Sequence, residues 1–167
     1  MSTRRRGVPH NPAAGYAFTL LDEIRASKTD PLPLAQRQAR VKDARDNLAM
    51  LTHGAEPSRF HWRVLATVGN IFEVMLELEM VNDPEGLLWK AQNTLKAAAE
   101  YSIEHGVAPR LVGEEAETIA SLINAYEEVM AVISHREFIR VLRETDKRMR
   151  VLRPGDYNAN PAKRRKP

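Results

Sequence analysis

Between Arg59 and Met80 the apolar residues Val64, Leu65, Val68, Ile71, Phe72, Met75 and Leu76 fall at i, i+3, i+4 and i+7. This is the spacing of an amphipathic helix facing a core. With Ser58 before it as a cap, the segment is read as the central core helix. Weaker stripes flank it. Asn11-Pro12, an N-cap followed by Pro at the first helical position, opens a short helix to about Lys28 with Phe18, Leu21 and Ile24 as its apolar residues. Asp30-Pro31-Leu32-Pro33 is a rigid connector. A helix from about Leu34 to His53 has only Leu34, Val41, Leu48 and Leu51 in its stripe. So thin a stripe predicts a place at the periphery. Asp83-Pro84 opens a helix ending at His105, and its Ala97-Ala98-Ala99 run lets another helix approach closely.

From Glu114 to Arg153 there are forty residues without Gly or Pro. Ile119, Ile123, Tyr126, Met130 and Ile133 form one seam. Phe138, Leu142, Met149 and Leu152 form another, with Thr145 filling its gap. The five-residue step from Ile133 to Phe138 changes the phase of the stripe. Either the helix breaks there, or one helix of roughly 60 Å turns its apolar face between two contacts. Ser134-His135-Arg136-Glu137 has the S-x-x-E pattern of a capping box, which favours a kink or break near Ser134. A continuous helix would leave one seam exposed beyond the first, and an exposed seam predicts a homodimer.

No segment alternates with the period of a strand, so the expected fold is all-α: a single-domain helical bundle of five or six helices. Residues 59–80, 87–105 and 114–133 should form its centre as antiparallel neighbours across short loops. The N-terminal helices should cover one side, and residues 1–10 and 154–167 should be flexible tails flanking a domain of residues 11–153. His53-Gly54 and His105-Gly106 end two helices alike. Each Gly suits the left-handed position after the last turn, and each His suits the negative end of the helix dipole.

The length of 167 residues fits one domain with a real core, and 43% hydrophobic with 28% charged residues is ordinary for a soluble globular chain. The absence of cysteine excludes disulfides, thiolate metal sites and thiol nucleophiles, and fits a reducing compartment such as the cytoplasm. The longest apolar run, Val64–Leu76, is broken by Asn70 and Glu73. Neither a transmembrane helix nor a secretory signal is expected.

Charge changes the picture more than composition does. Residues 11–135 carry eleven Lys/Arg against eighteen Asp/Glu, whereas residues 136–167 carry eleven Lys/Arg against four acids. The formal net charge of +3 therefore averages an acidic body and a basic C-terminal part. Arg136, Arg140, Arg143, Lys147 and Arg150 recur at +4, +3, +4 and +3, on one helix face. They lie opposite the Phe138–Leu152 seam, so the basic side should face outward. Past Pro154-Gly155 the chain ends in Lys163-Arg164-Arg165-Lys166-Pro167. This basic run has the look of a nuclear localisation signal, which would make the protein nuclear.

Three readings of the basic face compete. It is a solvated face or docks onto acidic surface of its own chain or a neighbour. It contacts phosphates of DNA or RNA with low sequence specificity. Or it meets an anionic membrane, a weak reading because the apolar side of that helix is needed for packing and lacks Trp. Base readout is not expected, since no aromatic residues interleave with the cations.

No pattern of catalytic chemistry emerges. The histidines, His10, His53, His61, His105 and His135, make no H-x-x-x-H or E-x-x-H motif, and the serines have no nucleophile-elbow context. No phosphate-binding glycine loop is present. Glu73–Glu77 and Glu100–Glu104 read as solvated faces. His61 reads as a core or capping residue, and Trp62, Trp89, Phe60 and Phe72 as core anchors. No metal, cofactor or catalytic residue is expected. The function expected first is a non-enzymatic interaction protein that self-associates and binds a partner with an acidic or apolar surface. The alternative is a nucleic-acid accessory protein using the 136–153 helix and the tail.

Overall fold

The computed structural model describes residues 18–151, with side chains to Met149. It contains α1 (Leu20–Arg25), α2 (Leu34–Thr52), α3 (Arg59–Glu77), α4 (Leu87–His105), α5 (Glu114–Val132) and α6 (His135–Val151). Among the described residues there is no strand, so the all-α bundle read from the periodicity is the fold. The expected tails, 1–10 and 154–167, lie outside the described residues.

Helices α2 to α5 are 19 residues each, about 28 Å at 1.5 Å per residue. Each packs on the next, and α5 returns to α2, closing an up-and-down four-helix ring. Its direction is set at both ends. The Leu111 N–H, just before α5, donates to Leu51 O at the end of α2 at 3.2 Å. At the other end Pro31 and Ser134 form an isolated antiparallel bridge. The core fills the ring with Leu51, Leu65, Phe72, Met75, Leu122, Ile123 and Tyr126, all but fully buried. The α3 stripe predicted from the period lies in this core, apart from Leu76, which is half-buried. Gly69 has the Leu122 Cδ2 at 4.0 Å from where a Cβ would stand, so α3 and α5 approach closely there.

Four expectations need correction. Among the described residues the first helix opens at Leu20, where Thr19 and Asp22 form a reciprocal capping box; the expected start at Asn11-Pro12 and the rest of residues 11–17 lie outside the described residues. Its apolar residues Leu20, Leu21 and Ile24 are more than half exposed. Helix α2 is no peripheral element but a full wall of the ring, since Val41, Ala44, Asn47 and Leu51 are buried against α3 and α5. Its stripe looks thin only because two of those positions are Ala and Asn; the Asn47 amide is satisfied within the helix by Asp43 O at 2.8 Å. Helix α4 begins at Leu87, with Asp83 standing off as acceptor for the Leu87 and Leu88 N–H groups at 2.8 and 2.9 Å. Last, Trp89 and Phe60 are exposed, while Phe72 is buried and Trp62 is half-buried, donating its indole N–H to Leu95 O at 2.7 Å.

The forty residues from Glu114 are two helices. Ile133 is extended and the Ser134–Glu137 capping box is formed, with the Ser134 N–H and hydroxyl both on Glu137 Oε2 at 2.8 Å. The break re-aims the chain so that α6 returns onto α3. The first seam, Ile119, Ile123, Tyr126, Met130 and Ile133, is thereby buried, as are Phe138, Leu142 and Thr145 of the second; Met149 is half-buried and Leu152 lies outside the described residues. Among the described residues the junction leaves neither seam exposed, which removes the sequence argument for a dimer from an exposed seam. Arg40 of α2 lies over the Phe138 ring at 5.1 Å from its centroid and also bonds the Tyr126 phenol, tying α2, α5 and α6 together.

The two His-Gly ends differ. Gly106 has φ +65°, the left-handed conformation expected. Gly54 is not left-handed; its N–H donates to Ala49 O and Met50 O at 3.2 and 3.1 Å, and the Leu111 N–H takes Leu51 O. A Cβ on Gly54 would sit 2.6 Å from Met50 O and 2.9 Å from Met50 Cα, whereas at Gly106 it would meet nothing. Gly54→Ala should therefore lower stability more than Gly106→Ala, the latter by about 1 kcal/mol for the left-handed strain alone. Urea unfolding of the two variants checks the order.

Burial pushes the Tyr126 phenol up to about 12, against the pull of the Arg40 guanidinium. Its ordinary value is about 10. A folded value above the unfolded one means that the neutral phenol's contribution is complete below about pH 10 and is lost as pH rises through about 12. Two units correspond to about 2–3 kcal/mol. Spectroscopic titration should show one tyrosine ionising near pH 12, with a loss of unfolding free energy over the same range that Tyr126→Phe removes.

Candidate interaction surfaces

Helix α6 is built by two opposed patterns. Phe138, Ile139, Val141, Leu142 and Thr145 are buried, the threonine hydroxyl donating to Val141 O at 2.8 Å. The basic stripe lies on the other side, but it does not simply face water. α1 packs on it with its acidic side. Glu23 pairs with Arg143, and the Arg136 guanidinium donates to Ile24 O and, at 3.4 Å, to Ala26 O, the last carbonyls of α1. The main chain reciprocates: the His135 and Arg136 N–H groups, otherwise unsatisfied at a helix start, donate to Asp30 O and Ser27 O at 2.7 and 2.9 Å.

The outward orientation expected for the whole stripe is thus corrected at two positions. Arg136 and Arg143 are engaged by α1. Arg140 is exposed and makes no ion pair among the described residues, and Lys147 is exposed at 3.9 Å from Glu144. Arg150 and the run Lys163, Arg164, Arg165 and Lys166 lie outside the residues whose side chains are described. Arg148, off the stripe, fastens α6 to the bundle by pairing with Glu77 of α3 and lies 3.7 Å from Glu144. Its hydrogen bond with Glu77 raises its pKa further above the ordinary arginine range, against desolvation. The i, i+4 spacing of Glu144 and Arg148 shows in the sequence; the Glu77 contact does not.

The opposite end of the bundle has a different surface. An open groove of about 930 Å³ runs between the loop after α2, the second half of α4 and the loop before α5. Ala55, Pro57, Ala97, Tyr101, Val107 and Val112 line it, with Glu56, Arg110 and Glu115 also on its wall. Tyr101 is held by stacking on His105, ring centroids 4.0 Å apart, and the His105 ring lies 3.0 Å from Tyr101 O. Tyr101 and Val112 are 60% and 64% exposed, so this apolar surface is open to a partner. It went unread in the sequence, although one signal was there: Trp89, Tyr101 and Ile103 fall off the Leu88–Ala91–Leu95–Ala98–Ser102 stripe that α4 buries.

His61, Glu73 and Glu100 have structural partners. His61 Nδ1 accepts from the Ser58 N–H at 3.0 Å as part of a helix cap. Glu73 accepts from Gln92 at 3.3 Å, and Glu100 lies 3.7 Å from Lys96. Among the described residues no three His, Asp or Glu side chains are grouped so as to hold a metal ion. Nor is any helix there long and apolar enough to cross a membrane. No family model, curated protein or solved structure matches the chain.

Helix α1 buries none of its six residues; between the flanking anchors Phe18 and Ala26 it is held by the polar contacts to α6. Arg143→Gln should speed amide exchange over residues 22–26 by roughly fivefold, the worth of about 1 kcal/mol for a partly exposed pair. Exchange in α3 should stay unchanged, and mass-spectrometric hydrogen exchange reads both.

Proposed function

We propose that this protein is a non-enzymatic helical interaction module that self-associates through its α4 side. One observation carries this reading. Of the eleven large apolar side chains left exposed among the described residues, five (Trp89, Tyr101, Ile103, Val107 and Val112) belong to α4 and the loop after it. Three of these five line the groove. Tyr101, Val107 and Val112 give that groove an apolar wall with an aromatic ring stacked on His105, the composition of a protein interface, where Tyr and Trp supply much of the binding energy. A second copy of the chain brings the same apolar surface, so the patch complements itself across a two-fold axis.

A second reading, phosphate contact with nucleic acid through the basic helix, is supported by the exposed Arg140 and Lys147, which stand in line on α6. It has fewer free cations than the spacing implied, because Arg136 and Arg143 are held by α1.

Sedimentation velocity over a range of concentrations tests the first reading. The protein should sediment as a dimer at micromolar concentration, and Tyr101→Glu with Val112→Glu should convert it to a monomer of unchanged helicity. A wild-type chain that stays monomeric throughout rejects self-association.

A further inference from the structure

Helix α1 is amphipathic in the wrong sense for a helix held by burial. Glu23 points in, to Arg143, while Asp22 closes the helix's own N-terminal cap. Leu20, Leu21 and Ile24, which share a face at i, i+1 and i+4, are 56%, 51% and 57% exposed. Arg25 and Lys28 lie on the same segment, and Arg140 lies on α6 between Arg136 and Arg143, which α1 contacts. All three are exposed and make no ion pair among the described residues. Lys147, exposed and 3.9 Å from Glu144, continues the line. Glu23 is thus engaged by Arg143, while Asp22 stays ionised beside Arg25; what faces solvent is apolar surface bordered by Arg25, Lys28 and Arg140.

We propose that this α1 face is a docking surface for an anionic lipid bilayer, lying in the interface with Leu20, Leu21 and Ile24 toward the acyl chains and Arg25, Lys28, Arg140 and Lys147 against the headgroups. The apolar side of α6 itself is used up in packing on α3; α1 supplies a separate apolar face over the same cations. Charge complementarity selects the occupant. A protein groove would satisfy the leucines and isoleucine but gives no reason for the free cations around them. Nucleic acid would satisfy the cations and leave the apolar face in water. An anionic membrane surface meets both, as in proteins anchored by an interfacial amphipathic helix with a basic rim. Three apolar side chains and four cations make attachment reversible and dependent on salt and on anionic lipid.

Co-sedimentation of the full chain with vesicles of phosphatidylcholine alone, and with about a third phosphatidylserine, tests this. Binding is expected to the anionic vesicles at low salt and not to the neutral ones. Leu21→Ser with Ile24→Ser should weaken it roughly tenfold or more. Arg25→Gln with Arg140→Gln should weaken it roughly thirtyfold, at about a fivefold factor per cation. Phe60→Ser, an exposed apolar residue of α3 outside this face, should leave it unchanged. Two results would overturn the proposal. One is no binding to anionic vesicles. The other is binding that survives Leu21→Ser with Ile24→Ser, which means that cations alone adsorb the protein, as they would to nucleic acid.

Discussion

The hydrogen-bonded junction around Ser134 decides how everything else is placed. A helix of forty residues would have run past the end of the bundle with its apolar stripe rotated out of register. Instead Ile133 extends, Ser134 and Glu137 cap each other, and the first N–H groups of α6 find Asp30 O and Ser27 O on the segment that enters α2. The Arg136 guanidinium takes the carbonyls at the end of α1. Donors that a helix start leaves open and acceptors that a helix end leaves open are matched to each other across the chain. The turn at Ser134 therefore stops α5, returns α6 onto α3 and seats α1 at once.

Several of these features are written locally and can be read from the sequence. The α3 stripe and the Ser134-x-x-Glu137 cap are both patterns within one or two helical turns, and both correspond to structure. The start of α1 was equally legible, since Thr19-x-x-Asp22 is a cap pattern of the same kind, but Asn11-Pro12 was the stronger-looking signal. The place of α2 was not legible from hydrophobicity, because a wall packed through Ala44 and a self-satisfied Asn47 looks polar to any apolar count. The spacing of the basic stripe was legible, but its cover was not. Glu23 and Arg143 are 120 positions apart, and nothing in the period of either helix predicts their meeting.

The division of charge between an acidic body and a basic C-terminal part resolves partly into contacts within the chain. Arg143 meets Glu23, and Arg148 meets Glu77. Ion pairs with this much exposure stabilise a fold little. What holds α6 is the burial of Phe138, Ile139, Val141 and Leu142, each such side chain contributing about 1.5–3 kcal/mol. The pairs orient the helix about that buried face and select which cations remain outside.

The separation between Glu23 and Arg143 also orders events in time. The hairpins α2–α3, α3–α4 and α4–α5 close over short loops, and local contacts of this kind form early. The α1–α6 contact closes a loop of more than a hundred residues and gains from it few buried groups. Of the described helices, α1 leaves the ribosome first and is placed last. Until α6 has been synthesised and has turned back at Ser134, α1 lacks the helix on which it packs among the described residues, and its leucines and isoleucine still face water in the finished fold.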